Sequence, residues 1–190
     1  MGKISWKPGT MVNPVPAVIV SCGSFNTDDA NLITIAWIGT ICTNPPMLSI
    51  SVRPERLSHS IILRHMEFTV NLTTVAMAKA TDWCGVRSGR NYNKFKESGL
   101  TPIPGIYNSC PILRESPLSI ECKVKEIMHL GSHDIFMAEV VNVVADDNFI
   151  DEETGAFNLK KADLIAFCHG KYYSLGNLIG TFGFSVKKKK

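Results

Sequence analysis

The segment Ser49-Ile-Ser-Val-Arg-Pro-Glu-Arg-Leu-Ser58 places Ser51, Arg53, Arg56 and Ser58 within one short arc. It leads from a run of strand character into a helix start. Amides at a helix start and nearby hydroxyls donate hydrogen bonds to an anion, and guanidinium groups pair with phosphate oxygens in a fork. The arc therefore has the composition of a phosphate seat. The same residues equally describe a surface salt-bridge cluster around Glu55, and their types alone leave both readings open.

Just upstream, Asn31-Leu-Ile-Thr-Ile-Ala-Trp-Ile-Gly-Thr-Ile-Cys-Thr-Asn-Pro-Pro46 combines an apolar strand, small residues, one large aromatic and a Pro-Pro exit. Backbone groups along such a strand can hydrogen-bond the edge of a planar heterocycle, with Trp37 flanking its face. An ordinary core strand with a buried tryptophan has the same pattern. Further on, Lys94 lies in a polar, irregular stretch, residues 85–117, broken by Gly89, Gly99, Pro102, Pro104, Gly105 and Pro111. Connections of this length usually act as lids or binding loops, or are disordered. Lys94 is thus a loop cation or a solvated surface charge.

The elements that position these residues follow strand logic. Residues 17–22, 32–43, 47–52 and 68–72 are apolar or β-branched runs bounded by Gly, Pro, Asn and Asp. From Leu118, the apolar Leu118, Ile120, Cys122 and Val124 alternate with Ser119, Glu121, Lys123 and Lys125. That spacing predicts a strand with one buried and one wet face. Residues 135–145 are apolar on both faces apart from Glu139 and Asn142, as in a strand lying between a core and a second surface, which a dimer contact would supply. Helices are expected at 58–66, with Ser58 as N-cap, at 74–84 and, briefly, at 93–98. The sum is an all-β, β-rich barrel with peripheral helices, in one domain spanning 1–190.

Composition narrows the function classes. Of 190 residues 45% are hydrophobic, enough for one well-filled core. The formal charge is +3, and four positive charges sit in the 187–190 lysine run, so nucleic-acid binding is not implied. That run reads as a solvated tail able to steer an acidic partner. No run approaches the roughly 20 apolar residues of a membrane span, and the amino terminus has no signal-peptide pattern, so a soluble cytoplasmic protein is expected. Six scattered cysteines form no C-x-x-C pair or metal-like cluster, and they read as reduced, packed thiols with no metal. Neither G-x-G-x-x-G after a strand nor a P-loop is present. Any nicotinamide would therefore stack directly on a bound ring.

Taken in order, these motifs resemble the flavin reductase-like FMN-binding family, and within it the flavoredoxin branch. The likeness runs through Asn31-x-x-Thr-x-Ala-Trp37, Asn-Pro-Pro46, Ser-Val-Arg-Pro-x-Arg-x-Ser58 and Glu-Phe-Thr-Val-Asn71. It continues with Ser-Gly-Arg90 to Lys-Phe95, Gly-Ser-His-Asp-Ile-Phe136 before Ala-Glu-Val140, and Gly-Lys-Tyr-Tyr-Ser-Leu-Gly176. The resemblance implies an antiparallel Greek-key split β-barrel that forms a homodimer and holds FMN. It implies that Thr34, Ala36 and Trp37 line the isoalloxazine and that Ser51, Arg53, Arg56 and Ser58 receive the phosphate end. Lys94 would approach from the long loop, where a cation stabilises negative charge on the pyrimidine side of the ring. His133 falls where flavin reductases of this family carry a histidine near the nicotinamide site, and it equally suits a turn or a partner-facing position.

Many family members have serine, asparagine or threonine where this chain has Ala36, Trp37 and Cys42. The tryptophan variant points toward electron transfer to a soluble redox partner with FMN kept bound. Two alternatives stand beside it: an NAD(P)H-dependent reductase that takes FMN as a substrate, and a non-enzymatic binding module on the same barrel.

Overall fold

The computed structural model describes residues 2–25 and 27–186, so the 187–190 lysine run lies outside the described residues. The strands are β1 (Val15–Pro16), β2 (Val18–Cys22), β3 (Asn31–Ile35), β4 (Ile38–Cys42), β5 (Met47–Val52), β6 (Glu67–Leu72), β7 (Pro102–Ile103), β8 (Ile112–Leu113), β9 (Leu118–Leu130), β10 (His133–Ala145), β11 (Ile165–Cys168) and β12 (Lys171–Ser174). Four short helices accompany them: α1 (Leu57–His65), α2 (Ala78–Val86), α3 (Lys94–Ser98) and α4 (Leu159–Ala162).

Seven strands form one antiparallel sheet in the order β3-β2-β6-β9-β10-β5-β4, curled into a half-barrel. β3 and β4 are the two ends of that order yet adjacent in sequence. The run expected as one strand over 32–43 is therefore broken at Ala36–Trp37, where it leaves β2 and begins to pair with β5. Strands that change partners through a bend make the corners of curled sheets. The Ser51 N–H donates to the Trp37 carbonyl at 2.9 Å and fastens this corner. Two register shifts between β9 and β10 add curvature on the far side.

The inward side chains Val20, Ile33, Ile50, Phe68 and Phe136 fill the barrel, and β2 is buried on both faces because Ile19 packs outward with Leu32, Cys84 and Leu113. α1 crosses from β5 to β6 and buries Ile61 and Ile62 in the same core. Cys22, Cys84, Cys110 and Cys122 are buried free thiols. Burial pushes Cys22 and Cys122 up to about 12, which keeps them uncharged at neutral pH.

Two expectations about local structure are corrected. Ser58 is not the N-cap of α1. Arg56 holds that position with extended backbone, and Ser58 is buried within the first turn. The second face of β9 is not wet at Ser119 and Glu121, because residues 104–113 of the long connection fold over it. Glu121 accepts the N–H groups of Ile106, Tyr107 and Asn108 at 2.8, 2.9 and 3.1 Å, with the Asn142 amide at 2.6 Å. The long connection is accordingly folded rather than loose, carrying α3, β7 and β8.

Candidate functional site

The corner at Ala36–Trp37 opens onto a cavity of about 170 Å³, lined by Thr34, Ala36, Trp37, Ser51, Arg53 and Arg56. Six of the eight residues singled out from sequence thus meet in one place. β3 forms the edge of the sheet there. The Leu32 carbonyl on that open edge accepts from Lys94, so by strand alternation the backbone groups of Thr34 leave the same edge unpaired with β2. Trp37 is 44% exposed and packs against His133 with ring centroids 4.3 Å apart. Partial burial and then the nearby Arg53 hold the His133 imidazole below the ordinary histidine value, favouring the neutral ring.

The lining of this cavity is also cationic. Arg53 reaches Glu55 at 3.3 Å, so the salt-bridge reading of the arc is realised for that arginine. Arg56 makes no salt bridge among the described residues and lines both this cavity and an adjoining one of about 340 Å³. α1 starts at the same point. Its N-cap Arg56 gives no side-chain cap, and its first turn holds no acidic residue. The leading amides of a helix have no partner within it, and such a start is a ready anion seat.

Ser58 and Lys94 fall in the adjoining cavity rather than beside Trp37. Ser58 accepts from the Asn31 amide at 2.9 Å. The Lys94 ammonium, on the first residue of α3, donates to the carbonyls of Leu32 at 2.8 Å and Cys84 at 2.6 Å. Burial pushes it down to about 8, partly offset by Cys84. It ties β3 to α2 at the edge of the cleft.

Sequence reasoning left out Asn31, which heads β3 and holds Ser58, and Gly89, which presses on it. A Cβ at Gly89 would stand 2.2 Å from the Asn31 side-chain oxygen, so only glycine permits this approach. Both residues stood within the motifs quoted above, but their contact spans residues far apart in the chain.

An aromatic-flanked strand edge joined to an uncapped, arginine-rich helix start defines a site for a planar ligand carrying an anionic group. The family comparison agrees: residues 11–176 match the flavin reductase like domain, and the chain belongs to that family, with the flavin-binding redox function this supports. Among solved structures it is similar to flavoredoxin of Desulfovibrio vulgaris (Miyazaki F), at 27% identity and a TM-score of 0.89 over 98% of this chain and 100% of that one. Flavoredoxin from Methanosarcina acetivorans matches at 24% identity with a TM-score of 0.88, over 98% and 100%. The FMN-binding protein from Thermus thermophilus matches at 21% with 0.76, over 90% and 96%. The last two establish likeness of fold. Among the described residues no helix is long and apolar enough to cross a membrane.

Proposed function

We propose that the protein holds FMN as a prosthetic group and works as a flavoredoxin-type electron-transfer oxidoreductase in the cytoplasm, exchanging electrons with a soluble redox protein or NAD(P)H. The observation that carries this reading is the uncapped α1 start with Arg53 and Arg56 lining the same cavity as Trp37 and His133. Bound there, a flavin supplies one- and two-electron chemistry. The chain's own residues do the rest. The α1 amides, Arg56 and Arg53 fix the phosphate, and the open edge of β3 orients the ring by backbone hydrogen bonds. Trp37 covers one face from water. Neutral His133, whose Nδ1 shares a hydrogen bond with the Ser132 hydroxyl at 2.9 Å, keeps Nε2 for a hydrogen bond at the ring's exposed side.

Likeness to flavoredoxin and to an FMN-binding protein supports FMN among flavins. The absorption spectrum of freshly purified protein, before and after anaerobic NADH or NADPH, tests the reading. A flavin band that survives purification is expected. A colourless protein that reduces added FMN with NAD(P)H replaces this reading with a flavin reductase, and one that does neither replaces it with a binding module.

The working unit in this proposal is a homodimer. The outer face of β10 leaves Ile135, Met137 and Val141 only half-buried, and Leu178, Ile179 and Phe182 stand almost wholly in water. Exposed apolar side chains of this kind are candidates for an interaction surface. Sedimentation equilibrium at micromolar concentration checks it, and a monomer mass refutes it.

A further inference from the structure

His59 and Asp134 are buried ionisable side chains that the chemistry described so far leaves unused. Asp134 follows His133 in β10, and its register partner on β5 is Val52, the residue before Arg53. Successive strand residues point to opposite faces, so His133 turns to Trp37 and the cavity, whereas Asp134 turns inward on the side of Phe136. His59 is the third residue of α1. It belongs to the turn whose leading amides and N-cap Arg56 form the proposed phosphate seat.

These two side chains join that turn to β10. His59 Nε2 donates to Asp134 Oδ2 at 2.7 Å, and Nδ1 of His129, its exposed neighbour across on β9, donates to Oδ1 at 3.0 Å. Both oxygens of the carboxylate are thereby used. The His59 ring also stands edge-on to the wholly buried Phe136, with centroids 5.3 Å apart. Ser58, beside it, is tied to the head of β3 through Asn31 at 2.9 Å. Two consecutive residues thus fasten the first turn of α1 to the two strands that carry Thr34 and His133. Neither His59 nor Asp134 lines the cavities of the site, so their effect on a ligand is indirect.

We infer that Asp134 is a positioning residue of this site: through His59 it sets where the phosphate seat at the α1 start stands relative to the ring contacts at Trp37 and His133. The inference rests on the flavin reading of the cavity. A ligand held at both places binds best when the two fit at once, and a seat that drifts loses the phosphate contribution while the ring contacts remain.

Titration of flavin-free Asp134→Ala, Asp134→Asn and His59→Phe with FMN and with riboflavin, beside scanning calorimetry, tests this. All three variants should lose Tm. In Asp134→Ala the ratio of FMN to riboflavin affinity should fall about tenfold, with riboflavin affinity kept within about threefold. Asp134→Asn retains a carbonyl oxygen for His59 and should recover most of the ratio. His59→Phe keeps a ring against Phe136 and removes the bond, so it should lower the ratio as the alanine variant does, and it decides the matter if that variant does not fold. A fall in Tm with equal losses for FMN and riboflavin overturns the inference and makes the pair structural only. Native protein that binds neither flavin strikes the flavin reading itself, and the inference falls with it.

Discussion

Two regions of this molecule gather polar side chains around the barrel, and they treat them in opposite ways. Beneath residues 104–113, Glu121, Asn71, Ser21 and Ser119 are buried, and each finds its hydrogen-bond partners within the chain. The Asn71 amide donates to the Ile19 carbonyl and Ser21 at 3.1 Å, and its oxygen accepts from Leu113 N–H at 3.0 Å and Ser119 at 2.7 Å. No buried side-chain polar atom among the described residues lacks a partner. At the α1 start the reverse holds: a helix end without a cap, an arginine without a carboxylate, and a strand edge without a neighbouring strand. A polar group closed on the chain itself holds the fold, and one left open toward a cavity waits for a ligand.

The largest effect expected from this contrast is at Glu121. Glu121→Ala strands three backbone N–H groups beneath the 104–113 segment, each costing about 1–3 kcal/mol when left unmet. A loss of at least about 3 kcal/mol corresponds to a Tm drop of roughly 6–12 °C for a chain of this size. Flavin affinity, measured below the transition, should stay within twofold. Scanning calorimetry with flavin titration checks both, and an affinity loss without a Tm loss would break the division between the two regions.

Arg56→Ala is the mirror experiment. A charge-assisted bond to phosphate is worth about 1.5–3 kcal/mol, so FMN binding should weaken about ten- to a hundredfold while Tm of the flavin-free protein barely moves. Arg53→Ala should act in the same direction. Riboflavin lacks the phosphate, so its affinity should hold in both variants. Equal losses for FMN and riboflavin would remove the arginines from the phosphate end.

How much of each region was legible in the sequence follows from how local its contacts are. The arc from Ser51 to Ser58 could be read because its residues are neighbours and their chemistry is explicit. The bend at Ala36–Trp37 was hidden, since both halves of that run are apolar and only the change of partner from β2 to β5 divides them. Glu121 was read as facing water because alternation gives a side chain's face but not what folds over that face. Lys94 was recognised as important, yet its bonds to Leu32 and Cys84 depend on how α2 and α3 pack on β3.

Acid should separate the two regions as well. Burial works against the Glu121 charge, but Asn142 and the three N–H groups outweigh it and hold its pKa below the usual carboxylate value. A folded-state pKa below the unfolded one contributes stability that is present above about pH 4.5 and is lost as pH falls through the folded value. Tm should therefore decline between about pH 5 and 3, and Glu121→Gln should flatten that decline. It will not abolish it, because Asp134, hydrogen-bonded by His59 at 2.7 Å, is lowered too and remains in the variant. An identical pH slope in the variant would mean that folding leaves the Glu121 pKa unshifted.

The smallest effect is expected at Trp37, where the open region meets solvent. The ring is nearly half exposed and its closest aromatic neighbour is His133, so removing it leaves the barrel core untouched. In the absence of a dinucleotide-binding fold, a nicotinamide ring has to stack on the flavin itself, on the face that Trp37 covers in the proposed site. Trp37→Ala uncovers that face and also gives up ring contact, with aromatic pairs worth about 0.5–1.5 kcal/mol. Reduction of the bound flavin by NAD(P)H should accelerate, and FMN should be retained about two- to tenfold less well, as that energy range converts. Stopped-flow bleaching of the flavin band measures the first and dialysis the second. A variant that keeps FMN fully with unchanged kinetics places Trp37 outside the site and leaves the cationic end at Arg56 as its defining part.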